Sequence, residues 1–386
     1  MLSNVGAPGA SGPPNHFFRI QSTAKRKRTM ESTKKEGSLR LLPGLGIGRD
    51  KRGLLYVTHF VTGRTRVYEA PAWVERLLAA SVRGIPEEKA LELVGDGVDV
   101  SPEEFEGVLD YLLHEGIILR LTLEEVARIN LGRYGRQIEY FYEFAGDRAP
   151  FAFQDRLAAS SAVLLGLGGI GSWMALLLAM AGVGALTLVD GGTVKESNLS
   201  RQPLYREDQL GWLKVKAARA SLLALNSGMR VSVRHAFVSG PGDLREIIPG
   251  HDLVINAMDD PDINTTSSWV AEVAEREGIP YLVAGGYSGH IGRIGPTVLP
   301  GKTPEWNAYQ QYHNERRREN PDVLFPVGRE NHKAAFAPLA ALVSALQIWE
   351  AIRVLTRLGN PLLAGRLGEV DFATGEVRWE PVPVDA

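Results

Sequence analysis

Val163-Leu164-Leu165-Gly166-Leu167-Gly168-Gly169-Ile170-Gly171 is an apolar run that breaks into a glycine loop, and Leu186-Thr187-Leu188-Val189-Asp190 follows it as a second apolar run ending in a carboxylate. The spacing predicts a strand, a G-x-G-x-x-G turn at Gly166, Gly168 and Gly171, and a helix opening through Ser172, Trp173, Leu176 and Leu177. Gly166, Gly168, Gly169 and Gly171 permit a tight turn and close backbone approach to phosphate, with N–H groups and the positive end of the helix facing the anion. Asp190 stands where a carboxylate accepts hydrogen bonds from ribose hydroxyls, although a strand-end aspartate also caps turns. To this point a dinucleotide-dependent oxidoreductase fits equally well.

The residues that follow separate the readings. Asn198, Arg201 and Gln202 come directly after the ribose position, and Lys214 follows in Gly211-Trp-Leu-Lys214. Hydride transfer needs no cations along a triphosphate. Expulsion of pyrophosphate does, because charge grows on the leaving group and fixed Arg and Lys side chains stabilise it. Met258-Asp259-Asp260 comes after the strand that ends at Asn256, at the carboxyl edge of the sheet, where Asp259 can organise Mg²⁺ against phosphate oxygens. The competing role for Asp259 is to cap the helix that begins near Asn264.

Outward from this centre, residues from about 158 to the end alternate β-prone and helical runs. Strands are expected near 162–165, 186–189, 231–235, 252–256 and 281–284, which describes an α/β fold with a Rossmann-like, mostly parallel sheet and helices on both faces. Upstream, residues 54–59 and 64–68 read as a hairpin around Thr62-Gly63, with helices over roughly 72–80, 86–94 and 102–115. Ser101 as N-cap, Pro102 and a capping box closed by Glu104 start the last helix, and Gly116 ends it. This is the layout of a small winged-helix (α+β) domain. The expected organisation is an extension over 1–37, a winged-helix domain over 38–122, and a catalytic domain over 123–386 that begins with a linker helix near 123–144. The extension is rich in Gly, Pro, Ser and Lys/Arg, including Lys25-Arg-Lys-Arg28, and reads as disordered, with Met30 as an alternative start.

The 386 residues carry 44% hydrophobic and 23% charged side chains at a net charge of -2, which gives no overall electrostatic case for nucleic acid. A DNA-reading winged helix is further disfavoured by Glu103, Glu104, Glu106, Asp110 and Glu115 along the third helix, which would repel phosphates. There are no cysteines, which excludes disulfides, thiolate zinc sites and an enzyme thioester or persulfide. The longest apolar run, 337–349, falls short of the roughly 20 residues that span a bilayer and reads as a buried core helix. No secretory signal is evident, and the expected location is cytoplasmic, without membrane contact.

The order Arg133-Tyr-Gly-Arg136-Gln137, the Gly166 loop, Asp190, Ser197-Asn198-Leu-Ser-Arg201-Gln202, Lys214, Ala257-Met-Asp259 and the helix from Ala337 through Glu350 resembles the ubiquitin-activating-enzyme-like ThiF/MoeB/HesA adenylating family over about 131–378. The resemblance implies that Asp190 binds ribose, that Asn198, Arg201 and Lys214 contact phosphates with Gln202 in support, and that Asp259 organises Mg²⁺. It also implies that Arg136 reaches ATP across a homodimer interface. Two departures stand out: Met258-Asp259-Asp260 replaces the family's usual Thr-Asp-Asn, and the paired Cys-x-x-Cys zinc ligands of many members are absent, so no zinc is expected.

The N-terminal module resembles the PqqD-like element of peptide-modifying enzymes, in which a leader peptide adds a strand to the hairpin edge beside a helix groove. Together the two parts are similar to microcin C-type peptide-adenylating enzymes of natural-product biosynthesis. The implied activity is nucleotidylation of the C-terminal carboxylate of a ribosomally made precursor peptide, with ATP or CTP left open by the motifs. Adenylation of a ubiquitin-like sulfur carrier and a non-catalytic leader-binding role are the competing readings. Residues 304–333, with Trp306, Tyr309, Tyr312, Arg316, Arg317, Arg318 and His332, are expected to form a crossover or lid over the substrate tail.

Overall fold

The computed structural model describes residues 17–19, 37–95, 99–145, 150–317 and 334–383. The chain divides into two compact units, Met1–Asp147 and Arg148–Ala386.

The N-terminal unit holds β1 (Phe17–Arg19), β2 (Ser38–Leu41), β3 (Leu45–Arg49), β4 (Leu55–His59), β5 (Arg64–Glu69), α1 (Ala72–Ala80), β6 (Ile85–Pro86), α2 (Glu87–Gly95), α3 (Pro102–His114), β7 (Ile118–Leu121), α4 (Leu123–Leu131) and α5 (Gly135–Ala145). The expected hairpin is β4 and β5, in register from Leu55 against Tyr68 to His59 against Arg64. It is widened to a four-stranded sheet in the order β1-β5-β4-β3, and a second sheet runs β6-β2-β7. Leu55 and Val57 of β4, Tyr68 of β5, Trp73 and Leu77 from α1, and Phe105, Leu109 and Leu112 from α3 share one core. Their spacing, alternate on the strand and three to four apart on the helices, is what turns one face of each element inward.

Three expectations change in detail. Ser101 accepts from the Glu104 N–H at 3.1 Å, but the reciprocal capping box is made at Thr122 and Glu125 instead. The linker helix over 123–144 is two helices, because Gly132 caps α4 with extended backbone (φ -73°, ψ 147°) and the chain restarts at Gly135. Phe17–Arg19, inside the stretch read as an extension, forms β1. The Lys25–Arg28 run and Met30 lie outside the described residues.

The second unit comprises α6 (Pro150–Ala159), β8 (Ser161–Leu165), α7 (Gly169–Ala181), β9 (Ala185–Val189), α8 (Lys214–Leu225), β10 (Arg230–Arg234), α9 (Pro241–Leu244), β11 (Leu253–Asn256), α10 (Ile263–Glu277), β12 (Tyr281–Val283), β13 (Tyr287–Ser288), β14 (Ile291–Ile294), β15 (Thr297–Val298), α11 (Trp306–Arg317), α12 (Ala337–Thr356), β16 (Arg366–Asp371) and β17 (Glu376–Pro381). The central sheet runs β10-β9-β8-β11-β12-β15; the first five strands are mutually parallel and β15 is antiparallel to β12. Helices flank it. Val163, Leu165 and Val254 pack with Val270, Val273 and Ala274 of α10 and Trp306 and Tyr309 of α11, and strand alternation turns the buried Leu164 to the opposite face. An antiparallel sheet, β13-β14-β16-β17, completes the unit.

The apolar run near 337–349 extends further than its sequence suggested. α12 covers 20 residues, Ala337–Thr356, enough by length and composition to cross a membrane. Its length is instead used to pack along α7 and α6, with Leu339, Ala340, Val343, Ile348 and Ala351 buried. Glu350 is buried with them, and its carboxylate accepts the Leu362 and Leu363 N–H groups at 3.0 and 2.7 Å. Those charge-assisted bonds satisfy a carboxylate that would otherwise be costly to bury.

Candidate active site

The sheet order places β8 between β9 and β11, so the connections leaving β8 run one way and β11 returns on the other side. Ligands in open α/β sheets bind at such a switch point, outside the carboxyl ends of the strands. Here those ends deliver Gly166 after β8, Asp190 after β9 and Ala257-Met258-Asp259 after β11. Gly166 has φ +90°, and a Cβ there would stand 2.5 Å from the Ala257 carbonyl oxygen, so only glycine lets the two strand ends meet. A Cβ on Gly171 would overlap the Gly166 carbonyl oxygen and open the turn. Around Gly168, by contrast, there is free space, and as N-cap of α7 it has no side chain covering the first N–H groups of the helix.

The cavity outside these strand ends has a volume of about 380 Å³ and is lined by Gly166, Gly168, Asp190, Lys214, Asp259 and Asp260, with Phe237, Val238, Met258 and Trp269 as its apolar wall. That combination, apolar walls with a few convergent polar groups, is the usual make-up of a small-molecule site. Asp190 Oδ2 accepts the Leu167 N–H and Oδ1 the Gly192 N–H, both at 2.7 Å. The carboxylate therefore caps its own turn and also holds the glycine loop. Tyr205 fixes the other side of the same residue, donating from Oη to the Leu167 carbonyl at 2.9 Å. Burial pushes the Tyr205 hydroxyl well above its ordinary pKa, and the negative charge of Asp190 adds to the effect.

Lys214 is the first residue of α8, and its side chain passes Gly192, whose Cβ would lie 3.1 Å from Asp190 Oδ1 and 3.6 Å from Lys214 Cδ and Cε. Asp259 stands on a loop pinned from both sides. The buried Asn256 accepts the Met258 N–H at 3.2 Å, and Thr266 of α10 donates to the Met258 carbonyl at 2.9 Å. The cap of α10 is Asp262, which accepts from the Asn264 and Thr265 N–H groups. Asp259 has no capping task. Among the described residues its side chain makes no hydrogen bond or ion pair, and it lies exposed at the cavity mouth.

Arg201 is held over the loop from a different direction. The Asn198 carbonyl accepts the Arg201 N–H at 3.0 Å, Trp173 Nε1 of α7 donates to the Arg201 carbonyl at 3.1 Å, and Arg201 Nη1 donates to the Ser197 carbonyl at 2.7 Å. Its guanidinium and the Tyr287 hydroxyl both stand above Gly169, whose Cβ would be 3.5 Å from Arg201 Nε and 2.9 Å from Tyr287 Oη. Burial pushes the Tyr287 pKa up, the charge and hydrogen bond of Arg201 pull it back, and Asp259 raises it again, with a net upward shift.

Of the residues singled out in the sequence, Gly166, Gly168, Asp190, Lys214 and Asp259 line one cavity, and Gly169 and Arg201 adjoin it. Asn198 and Gln202 are buried behind Arg201; Asn198 Oδ1 accepts the Lys195 N–H at 3.0 Å, and Gln202 Oε1 has no hydrogen-bond partner among the described residues. Arg136 belongs to the N-terminal unit, where it is exposed beside Arg40, Arg83, Asn130 and Glu139. Residues 318–333, including Arg318 and His332, lie outside the described residues, as do the side chains of Arg316 and Arg317; Trp306 and Tyr309 of the same stretch are buried in α11. Phe237, Tyr205 and Tyr287 were not legible in the sequence.

Asp259 and Asp260 at the cavity are hard oxygen donors of the kind that Mg²⁺ takes.

The ThiF family profile matches residues 134–386. The chain belongs to the ThiF family. It is an adenylyltransferase of that family, and the match begins at Tyr134 and includes every residue of the cavity. The molybdopterin-synthase adenylyltransferase of Haemophilus influenzae is 29% identical over 253 residues, 66% of this chain and 95% of that protein. Among solved structures, PaaA superposes with a TM-score of 0.69 at 26% identity, covering 88% of this chain and 98% of PaaA. E. coli MccB, solved with AMPCPP and MccA, superposes with a TM-score of 0.65 at 22% identity, covering 90% of this chain and 98% of MccB.

Proposed function

We propose that this ThiF-family adenylyltransferase activates the C-terminal carboxylate of a ribosomally made precursor peptide. The observation that carries this is layout. The molybdopterin-synthase adenylyltransferase is used up over 66% of this chain, whereas PaaA and MccB run over 88% and 90% of it, so that their folds include counterparts of the N-terminal unit. A sulfur-carrier activator has no use for that unit; an enzyme that must hold a peptide does. The MccB structure with AMPCPP and MccA supports the same substrate class.

In the reaction, one carboxylate oxygen of the peptide attacks the α-phosphorus of ATP, the bond from that phosphorus to the bridging oxygen breaks, and pyrophosphate leaves with the electron pair. The product is an acyl adenylate. Asp190 takes the ribose hydroxyls on lone pairs not used by Leu167 and Gly192. The Gly166–Gly171 loop and the start of α7 face the phosphates. Lys214 and Arg201 stabilise the charge that develops on pyrophosphate, and Asp259 would hold a Mg²⁺ ion, which would add to that charge neutralisation. Asn198 acts by setting the turn that presents Arg201, with Gln202 in support. Arg136 completes the site of the partner subunit in a homodimer. Catalysis is positioning and charge neutralisation, which a chain with no cysteine can perform.

Activation of a ubiquitin-like sulfur carrier is the second reading, favoured by the sequence relationship to the Haemophilus enzyme. A non-catalytic leader-binding role fits less well, because the nucleotide-facing set of Asp190, Lys214, Arg201 and Asp259 is intact. Substrate-dependent ATP–pyrophosphate exchange tests the enzyme reading: exchange that is lost in Asp259→Ala supports it, and absence of exchange with either carboxylate substrate overturns it.

A further inference from the structure

One edge of β5 pairs with β4; the other pairs with β1, the chain's own Phe17–Arg19, in parallel. The register is Phe17 against Val67, Phe18 against Tyr68 and Arg19 against Glu69. A sheet edge presents a row of unpaired N–H and C=O groups that accept an added strand, and such augmentation is a general mode of peptide binding. The β5 edge is built for it. Tyr68 is fully buried and meets Tyr111 of α3 edge-to-face at 6.2 Å, and Arg66 pairs with Glu115 at 2.7 Å, so the strand is fixed against a helix before anything is added. The occupant also has a local reason to be there: His16-Phe17-Phe18-Arg19-Ile20 is a β-prone island in a stretch otherwise rich in Gly, Pro, Ser and Lys/Arg.

We propose that Phe17–Arg19 is a resident, displaceable occupant of the β5 edge, so that the chain's own segment competes with any extended peptide that would add a strand there. Three residues form few ladder hydrogen bonds, which makes the contact reversible. Covalent attachment nevertheless presents the segment at an effective concentration of roughly millimolar order, enough to compete with a weak peptide and to yield to a strong one. The identity of the incoming strand as a precursor peptide rests on the proposed function; the self-docking does not.

The test uses the full-length chain and a fluorescent peptide of residues 15–23 as the probe. Residues in a parallel ladder alternate in which edge their N–H faces, so Phe18→Pro and Arg19→Pro between them remove an N–H that faces β5. At least one variant should bind the probe about 10-fold or more tighter than the parent chain. Hydrogen exchange at alternate amides of Arg64–Glu69 should quicken in that variant and slow again when the probe is added. Equal exchange of those amides in parent and both variants would overturn the proposal, and so would probe binding that protects a different strand. Neither readout involves ATP, so loss of the adenylation reading would leave this result standing, and failure here would leave that reading intact.

Discussion

Asp190 and Leu167 are joined at 2.7 Å, carboxylate to backbone N–H, across the gap between the end of β9 and the glycine loop after β8. The bond makes one side chain responsible for the shape of the glycine loop at the wall of the cavity. Leaving the Leu167 and Gly192 N–H groups without their acceptor costs about 1–3 kcal/mol. Asp190→Ala should therefore raise KM for ATP about 10-fold or more and lower the melting temperature. Asp190→Asn, which keeps an acceptor oxygen, should fall between it and the parent. Steady-state kinetics with melting curves on all three proteins check the ordering; an unchanged KM in Asp190→Ala would remove the residue from the nucleotide site.

Arg201 and Tyr287 stand together over Gly169, and their losses should differ in size. Removal of one preorganised charge-stabilising donor lowers turnover by about 10²–10³, so Arg201→Ala should fall in that range in kcat. Tyr287→Phe removes one neutral hydroxyl, worth about 0.5–1.5 kcal/mol, and should lower kcat about 2- to 10-fold with little change in KM for ATP. Equal losses in the two variants would mean that the tyrosine takes part directly.

Phe237 is 73% exposed yet its ring lies against Gly191 at the wall of the cavity, where a Cβ on that glycine would overlap it. On the proposed nucleotide site, an exposed aromatic beside Asp190 is placed to stack on a nucleobase, an interaction worth about 1–3 kcal/mol. Phe237→Ala should raise KM for ATP by roughly 5-fold or more and leave kcat unchanged. A change in kcat alone would assign the ring another task.

The parts of the site that could be read in the sequence are those whose geometry is local. Gly166, Gly171 and Asp190 sit at strand ends that the apolar runs already marked, and Lys214 and Asp259 begin or precede helices whose starts follow from their flanking residues. The expected central strands appear within a residue or two of their positions; β8, β11 and β12 are continuous buried runs, as parallel strands covered on both faces are. Tyr287 escaped because β13 is only two residues long and reaches Arg201 through the tertiary fold. Phe237 escaped because an exposed aromatic after a strand has no periodic signature. β1 escaped because its pairing partner, β5, lies some fifty residues further along the chain.

Two buried tyrosines set an upper pH limit on stability. Burial pushes both Tyr205 and Tyr281 above their ordinary value of 10.0, Tyr205 aided by Asp190 and Tyr281 by its hydrogen bond to Glu275. Groups with raised folded-state pKa values keep their protons in the folded chain while the unfolded chain loses them, so the unfolded state gains as pH rises past 10. Below that pH the contribution is constant. Melting temperature should fall steeply between about pH 10 and pH 11, and Tyr205→Phe should flatten the fall; an identical slope in the variant would place the titration elsewhere.

The central claim is that a peptide carboxylate is adenylated, and mass spectrometry of the substrate tests it most directly. A ribosomally made precursor peptide with a free C-terminal carboxylate and a ubiquitin-like sulfur carrier are incubated separately with the protein, Mg²⁺ and ATP. The account predicts that the peptide gains the mass of one adenylate at its C-terminus, or of a product formed from it, and that pyrophosphate is released in step. Adenylation of the sulfur carrier with the peptide left unmodified would contradict it.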